Sequence, residues 1–191
     1  MREFGITQIS RGEILYPVQL SECMGEETPQ TLAFIGSPDL LTRPLLALIC
    51  SVKCPGSAIL DAHEAAKKVT RSEWVVVSGF HSPMEKECFR ILFRAKRPVI
   101  VCPARSLEGL RIPKEWREPI GARRMLLLSP FTTPHSRSTT RMAETRNLLV
   151  AAIADRIWIP YVDPGGKTEA LADRVVAFDG LMEDVNAMIA F

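Results

Sequence analysis

Three short stretches carry residue types from which an anion site is built. Pro164-Gly165-Gly166-Lys167-Thr168-Glu169 sets two adjacent glycines before a lysine and a hydroxyl. Adjacent glycines let the backbone turn sharply and bare its N–H groups, and a helix starting at Thr168 would add free donors of its own. The stretch reads either as a phosphate-contacting turn or as a plain strand-to-helix turn. It is not a P-loop, because the earlier glycine of G-x-x-x-x-G-K-[ST] would be residue 161, which is Tyr161. Ser78-Gly79-Phe80-His81 follows the clearest strand in the chain, where backbone passes close to a ligand, although it lacks the further glycines of a dinucleotide fingerprint. His81-Ser82-Pro83 equally suits a helix cap. In Cys50-Ser51-Val52-Lys53-Cys54-Pro55-Gly56, Ser51 and Lys53 are placed to touch phosphate or to form an ordinary polar turn.

The pair Arg146-Asn147 lies inside an amphipathic helical stretch, Ser138 to Asp155, whose spacing is marked by Met142, Leu149, Ala152 and Ile153. The pair suits a solvated face, or an arginine holding an anion with an asparagine on a sugar or base edge. Arg137, Arg141 and Arg146 stand against Glu144 alone, which tilts the balance toward an anionic ligand. For acid–base chemistry the candidates are Glu85, Glu87, Glu144 and Glu169, of which Glu144 and Glu169 flank the loops just described. A hydrolase would need one of them within about 3 Å of the proton it moves. No Gly-x-Ser-x-Gly elbow exists, and no histidine has an obvious carboxylate partner.

These stretches need a scaffold, and the chain supplies one. Its 191 residues allow one sizeable core, and 47% apolar with 24% charged residues is a globular composition. A single domain, 1–191, is expected, with residues 1–40 as an N-terminal cover and edge strand. No stretch is long enough to span a bilayer and Met1-Arg2-Glu3-Phe4 is not a signal sequence, so a cytoplasmic location and no membrane partner are expected. Cys23, Cys50, Cys54, Cys88 and Cys102 are odd in number and fit structural roles in a reducing compartment. His63, His81 and His135 follow no zinc spacing, so neither metal nor cofactor is expected. Charge is uneven along the chain. Residues 1–40 hold six carboxylates against Arg2 and Arg11, whereas residues 86–124 hold eleven Lys and Arg against four Glu. That basic middle would steer a polyanion, or else form the solvated faces of consecutive helices.

Short apolar runs are expected as strands at Thr31–Ile35, Leu45–Ile49, Trp74–Val77, Pro98–Cys102, Met125–Ser129, Ile157–Tyr161 and Val175–Phe178. Helical spacing falls between them: Ile59, Ala62, Ala66 and Val69 on one face, then Met84, Cys88, Ile91, Leu92 and Ala95 on another. A tail helix is expected from Leu181 to Phe191. Near-continuous apolar strands alternating with helices predict an α/β fold, a three-layer sandwich around a mostly parallel sheet. Such a sheet takes ligands beyond the carboxyl ends of its strands, the edge where all the stretches above would gather.

The order of these segments resembles the DNA-processing protein A (Smf) family, a Rossmann-like group, over residues 9 to 180. Tyr16-Pro17-Val18-Gln19-Leu20 followed by Leu32-Ala33-Phe34-Ile35-Gly36 is similar to the family's Y-P-x-x-L and a strand ending in Gly. Ala47-Leu48-Ile49-Cys50-Ser51-Val52 stands where the family has A-I-V-G-S-R, and Val75-Val76-Val77-Ser78-Gly79-Phe80 where it has V-V-S-G-L. Arg146-Asn147-Leu148-Leu149-Val150-Ala151, with Asp155-Arg156-Ile157-Trp158-Ile159, is similar to R-N-R-I-I-A-G-L-S-D-x-V-L-V. Gly165-Gly166-Lys167-Thr168 falls at the family's S-G-[ST], and Ser82-Pro83-Met84-Glu85 replaces its R-G-I-D.

The resemblance implies non-catalytic binding of single-stranded DNA or another polyanion, and possible pairing with a recombinase and as a homodimer. The residues it places near phosphate are Ser51, Ser78, Gly79, Arg146, Asn147 and Gly166. Lys53 and Lys167 are local additions, and Arg137, Arg141, Gly165 and Thr168 are expected with them from the arginine cluster and the glycine turn. Pro164 to Glu169 also resembles a shortened P-G-G-x-G-T-x-x-E of LOG proteins, which cleave nucleoside 5'-monophosphates. On that alternative, or as a nucleotide-binding protein, Glu169 and Arg146 would be the catalytic pair. A degenerate structural or partner-binding domain is the remaining alternative.

Overall fold

The computed structural model describes residues 4–134 and 138–176. Strands β1 (Thr7–Ser10), β2 (Thr31–Gly36), β3 (Leu45–Leu48), β4 (Val75–Ser78), β5 (Val99–Val101), β6 (Met125–Ser129) and β7 (Arg156–Trp158) form one seven-stranded sheet. Its order is β1-β2-β6-β5-β4-β3-β7. β3 through β7 run parallel, while β2 pairs antiparallel with β6 and β1 with β2. Every residue of β3, β4, β5 and β6 is buried, as expected of parallel strands covered on both faces. β1, at the sheet edge, buries only Ile9.

Alternate side chains separate two cores. Leu45, Ala47, Val75, Val77, Ile100, Leu126 and Leu128 pack with α1 (Leu20–Met24), α5 (Thr140–Ala152) and α6 (Lys167–Val176). Leu46, Leu48, Val76, Val99, Val101, Met125 and Leu127 pack with α2 (Gly56–Val69), α3 (Pro83–Arg94) and α4 (Arg117–Gly121). The result is a three-layer, Rossmann-like α/β sandwich with a mostly parallel sheet. None of its described helices is long and apolar enough to cross a membrane.

Local sequence fixes the helix starts. Ser82 caps α3, its hydroxyl accepting from the Glu85 N–H while the Glu85 side chain returns to the Ser82 N–H, and Pro83 takes the first turn, where no backbone donor is needed. Thr139 caps α5 by accepting from the Met142 N–H at 3.2 Å. Four details depart from expectation. Val175 and Val176 close α6 instead of forming a strand, because Thr168, Leu171 and Val175 at helical spacing are all buried. The last strand is Arg156–Trp158, shorter than the Ile157–Tyr161 run. Ile59 is 40% exposed while Ala62, Ala65, Ala66 and Val69 face the sheet. And α5 is not amphipathic in its second half, where Leu148 to Ala152 are buried on every side between the sheet, α1 and α6. The expected tail helix, Leu181 to Phe191, lies outside the described residues, as do the last two residues of the expected strand.

Candidate functional site

The chain passes from β3 through β4 and β5 to β6 in one direction across the sheet, then returns to place β7 on the other side of β3. The strand order therefore reverses between β3 and β7, the position where open α/β sheets leave a crevice. Here main-chain bonds draw that seam together beyond the strands. Ile49 N–H donates to the Trp158 carbonyl (3.1 Å) and Ser51 N–H to the Tyr161 carbonyl (3.2 Å). The Ser51 hydroxyl accepts from the Asp163 N–H at 2.9 Å, which fixes the chain leading into the Gly165-Gly166 turn. Within that turn Gly165 adopts φ +72°, its N–H donates to Glu169 Oε2 (2.7 Å), and the Gly166 N–H donates to the Asp163 carbonyl (2.9 Å). Lys167 pairs with Glu144 at 3.1 Å, linking the starts of α6 and α5, and Thr168 is buried.

A second cluster lies at the ends of β4 and β5. Ser78 is fully buried, its hydroxyl accepting from the Phe80 N–H at 3.0 Å and its carbonyl from the Cys102 N–H at 2.8 Å. Arg146 is 4% exposed. Side chains on a helix lean toward its N-terminus, which aims Arg146 from the middle of α5 at the carboxyl edge. There Nη1 donates to the Cys102 carbonyl at 2.9 Å, and the guanidinium lies against Gly79, where a Cβ would overlap it. That contact explains the glycine. Burial pulls the Arg146 guanidinium below its ordinary pKa, opposed by the nearby Glu85 charge and the Cys102 thiol. Its Nε–H is buried with no hydrogen-bond partner among the described residues.

Glu85 joins the two clusters. It is 5% exposed, and its carboxylate accepts from three backbone donors: Oε1 from Cys50 N–H at 2.9 Å, Oε2 from His81 N–H at 2.7 Å and Ser82 N–H at 3.1 Å. The amides from the end of β3 and the start of α3 thus converge on one internal carboxylate. Sequence reading placed Glu85 among acid–base candidates and not in the anion site. The Ser82-x-x-Glu85 capping-box spacing announces its local role, but the bond to Cys50 spans 35 residues and no local pattern encodes it.

Of the remaining expected residues, Lys53 and Arg141 are exposed and Asn147 is half-buried. Arg137 lies outside the described residues. Lys53 and Arg141 have no carboxylate partner among the described residues. Glu87 pairs with Arg90 at 2.8 Å on the surface of α3. Phe80, at φ +46°, is buried with its ring 4.9 Å from that of Phe89, and Trp158 is buried in the same core. Phe131 and Tyr161, both half-buried, are the aromatics near this edge that are not fully buried among the described residues. The described residues contain no group of three or more His, Cys, Asp or Glu able to hold a metal ion.

Fold and edge together define a Rossmann-like α/β protein with its loops gathered over the carboxyl ends of a parallel sheet. The model of the DNA recombination-mediator protein A family matches residues 7–163, and the chain belongs to that family. It is similar in structure to DNA processing protein A from Streptococcus pneumoniae, at TM-score 0.72 and 19% identity over 92% of this chain. It is similar also to DNA processing protein A from Helicobacter pylori, a structure described for its single-stranded DNA binding mode, at TM-score 0.73 and 18% identity over 94% of this chain. The chain spans 60% of the length of the streptococcal protein and 80% of that from H. pylori. Among curated proteins none matches the sequence.

Proposed function

We propose that the chain binds single-stranded nucleic acid along the outer rim of its carboxyl edge, without turning it over. The observation that carries this reading is the exposure of Lys53, on the loop that follows β3, and of Arg141, in the first turn of α5, both free of carboxylate partners among the described residues. Family membership, with a relative described for binding single-stranded DNA, supports the choice of ligand. Ser51, Ser78, Gly79, Arg146, Gly165, Gly166 and Thr168 then serve the rim from beneath, by holding the loops in shape. Lys167 is shared with Glu144, and Asn147 lies one residue from the buried Arg146. Exposed Lys86 at the start of α3 would extend the track.

Phosphate contacts of this kind give affinity that falls with salt, by a slope of about 0.7 in log K per contact on a single strand. Fluorescence anisotropy with a labelled oligothymidine across a salt series tests it. Weak binding with a clear salt slope, reduced in Lys53→Ala and Arg141→Ala, is expected; affinity that neither salt nor these substitutions change rejects it. Self-pairing and capture of a recombinase belong to the same proposal, read by sedimentation of the chain alone and with a recombinase.

A further inference from the structure

The donors around Glu85 are of the kind that receive a phosphate group. Two come from His81 and the N-cap Ser82, immediately ahead of the twelve-residue helix α3, and a third from the loop after β3. A buried arginine with an unused Nε–H stands nearby. Converging amides at a helix N-terminus beside a cation make an anion site. In this chain the anion is supplied internally. The Glu85 backbone N–H is held by Ser82 Oγ at 3.2 Å, so the capping box fixes the residue while its carboxylate reaches across to Cys50. An incoming phosphate would have to displace three charge-assisted hydrogen bonds and leave a buried carboxylate beside it, two costs that add.

We infer that Glu85 is a resident anion that closes this inner cradle to free phosphate and to phosphate monoesters such as mononucleotides. Glu85 is thus the residue that decides which phosphorylated ligands the edge accepts. Only groups approaching from outside, such as the diester backbone of a strand laid along the rim, find free cations. The inference stands apart from the DNA-binding proposal, because neither of its probes is a nucleic acid.

The test is anion rescue. Glu85→Ala removes the carboxylate and leaves its space, while Glu85→Gln keeps the bulk and removes the charge. Thermal melting of all three proteins is measured in acetate, inorganic phosphate and chloride at matched ionic strength. Acetate and phosphate are expected to raise the melting temperature of Glu85→Ala over chloride by several degrees more than they raise wild type and Glu85→Gln, whose smaller rise measures the general salting effect of these anions. Equal responses of Glu85→Ala to all three salts overturn the inference, as does a rise in Glu85→Gln as large as that in Glu85→Ala. Should Glu85→Ala fail to fold in chloride, refolding it in acetate is the same test, recovery supporting the inference and failure contradicting it. A phosphate titration of wild type followed at the backbone amides is independent of any variant: unmoved Cys50, His81 and Ser82 amides are expected, and saturable shifts there overturn the inference.

Discussion

The carboxyl edge contains two regions built from the same kinds of residue and used differently. In the inner cradle, Arg146, Ser78 and Ser51 are buried, and they and the amides of Cys50, His81 and Ser82 are bonded to the protein's own carbonyls, carboxylate and backbone. On the outer rim, Lys53 and Arg141 stand in water with no carboxylate partner among the described residues. On the proposed function, the contrast separates stability from binding. A buried, bonded cation is expensive to remove and reaches no external ligand with the donor it has already committed; an exposed one contributes little to folding and is available.

Substitutions can break that division, and the largest effect is expected at Arg146. Arg146→Ala leaves the Cys102 carbonyl without its guanidinium donor, opens a void beside Gly79 and removes the cation near Glu85. A loss of about 3 kcal/mol is expected from chemical denaturation, and the conservative Arg146→Lys should recover only part of it. Gly79→Ala attacks the same contact from the other side. Its Cβ would overlap the guanidinium, which must then shift and give up its bond to the Cys102 carbonyl, at a cost of about 1–3 kcal/mol. Ser82→Ala removes the cap of α3, worth about 1 kcal/mol, and loosens the frame that holds Glu85. At the rim the order inverts: Lys53→Ala and Arg141→Ala should change stability by less than about 0.5 kcal/mol while weakening binding of single-stranded DNA and flattening its salt dependence.

The thiols add a pH dependence. Burial pushes Cys88 and Cys102 up to about 12 and raises Cys50 as well, whereas the same groups in the unfolded chain titrate near their ordinary value. Their native pKa is raised, so the folded form retains protons that the unfolded form releases. Stability is therefore fully present below about pH 8.5 and should fall as pH rises from there toward 12. Denaturant midpoints measured between pH 7 and 10.5 check the sign. Alkylation of the native protein should reach the half-buried Cys23 and Cys54 well before Cys50, Cys88 and Cys102.

Much of the scaffold was legible in the sequence, and the reasons are local. The runs at Leu45, Val75, Val99 and Met125 are apolar on both faces, and only a doubly covered parallel sheet buries such strands. Val175-Val176 misled because two β-branched residues suggest a strand, while the buried face that makes them helical begins seven residues earlier at Thr168. The gathering of the loops at one edge was also readable, since it follows from strand direction alone. The state of each donor was not. Arg146 looks in sequence like a surface arginine; its burial depends on Gly79 and on the Cys102 carbonyl, 67 and 44 positions away. Glu85 reads in sequence as an acid–base candidate, and its bond to the Cys50 amide arises only where β3 lies beside β4.

One measurement probes the division between cradle and rim most directly: backbone amide shifts of the isotope-labelled protein titrated with oligothymidine. Shifts concentrated at Lys53 and at Arg141, with Cys50, His81 and Ser82 unmoved, are the expected result. Shifts centred on Cys50, His81 and Ser82, with Lys53 and Arg141 unaffected, would contradict it, since the strand would then be taking the place held by Glu85.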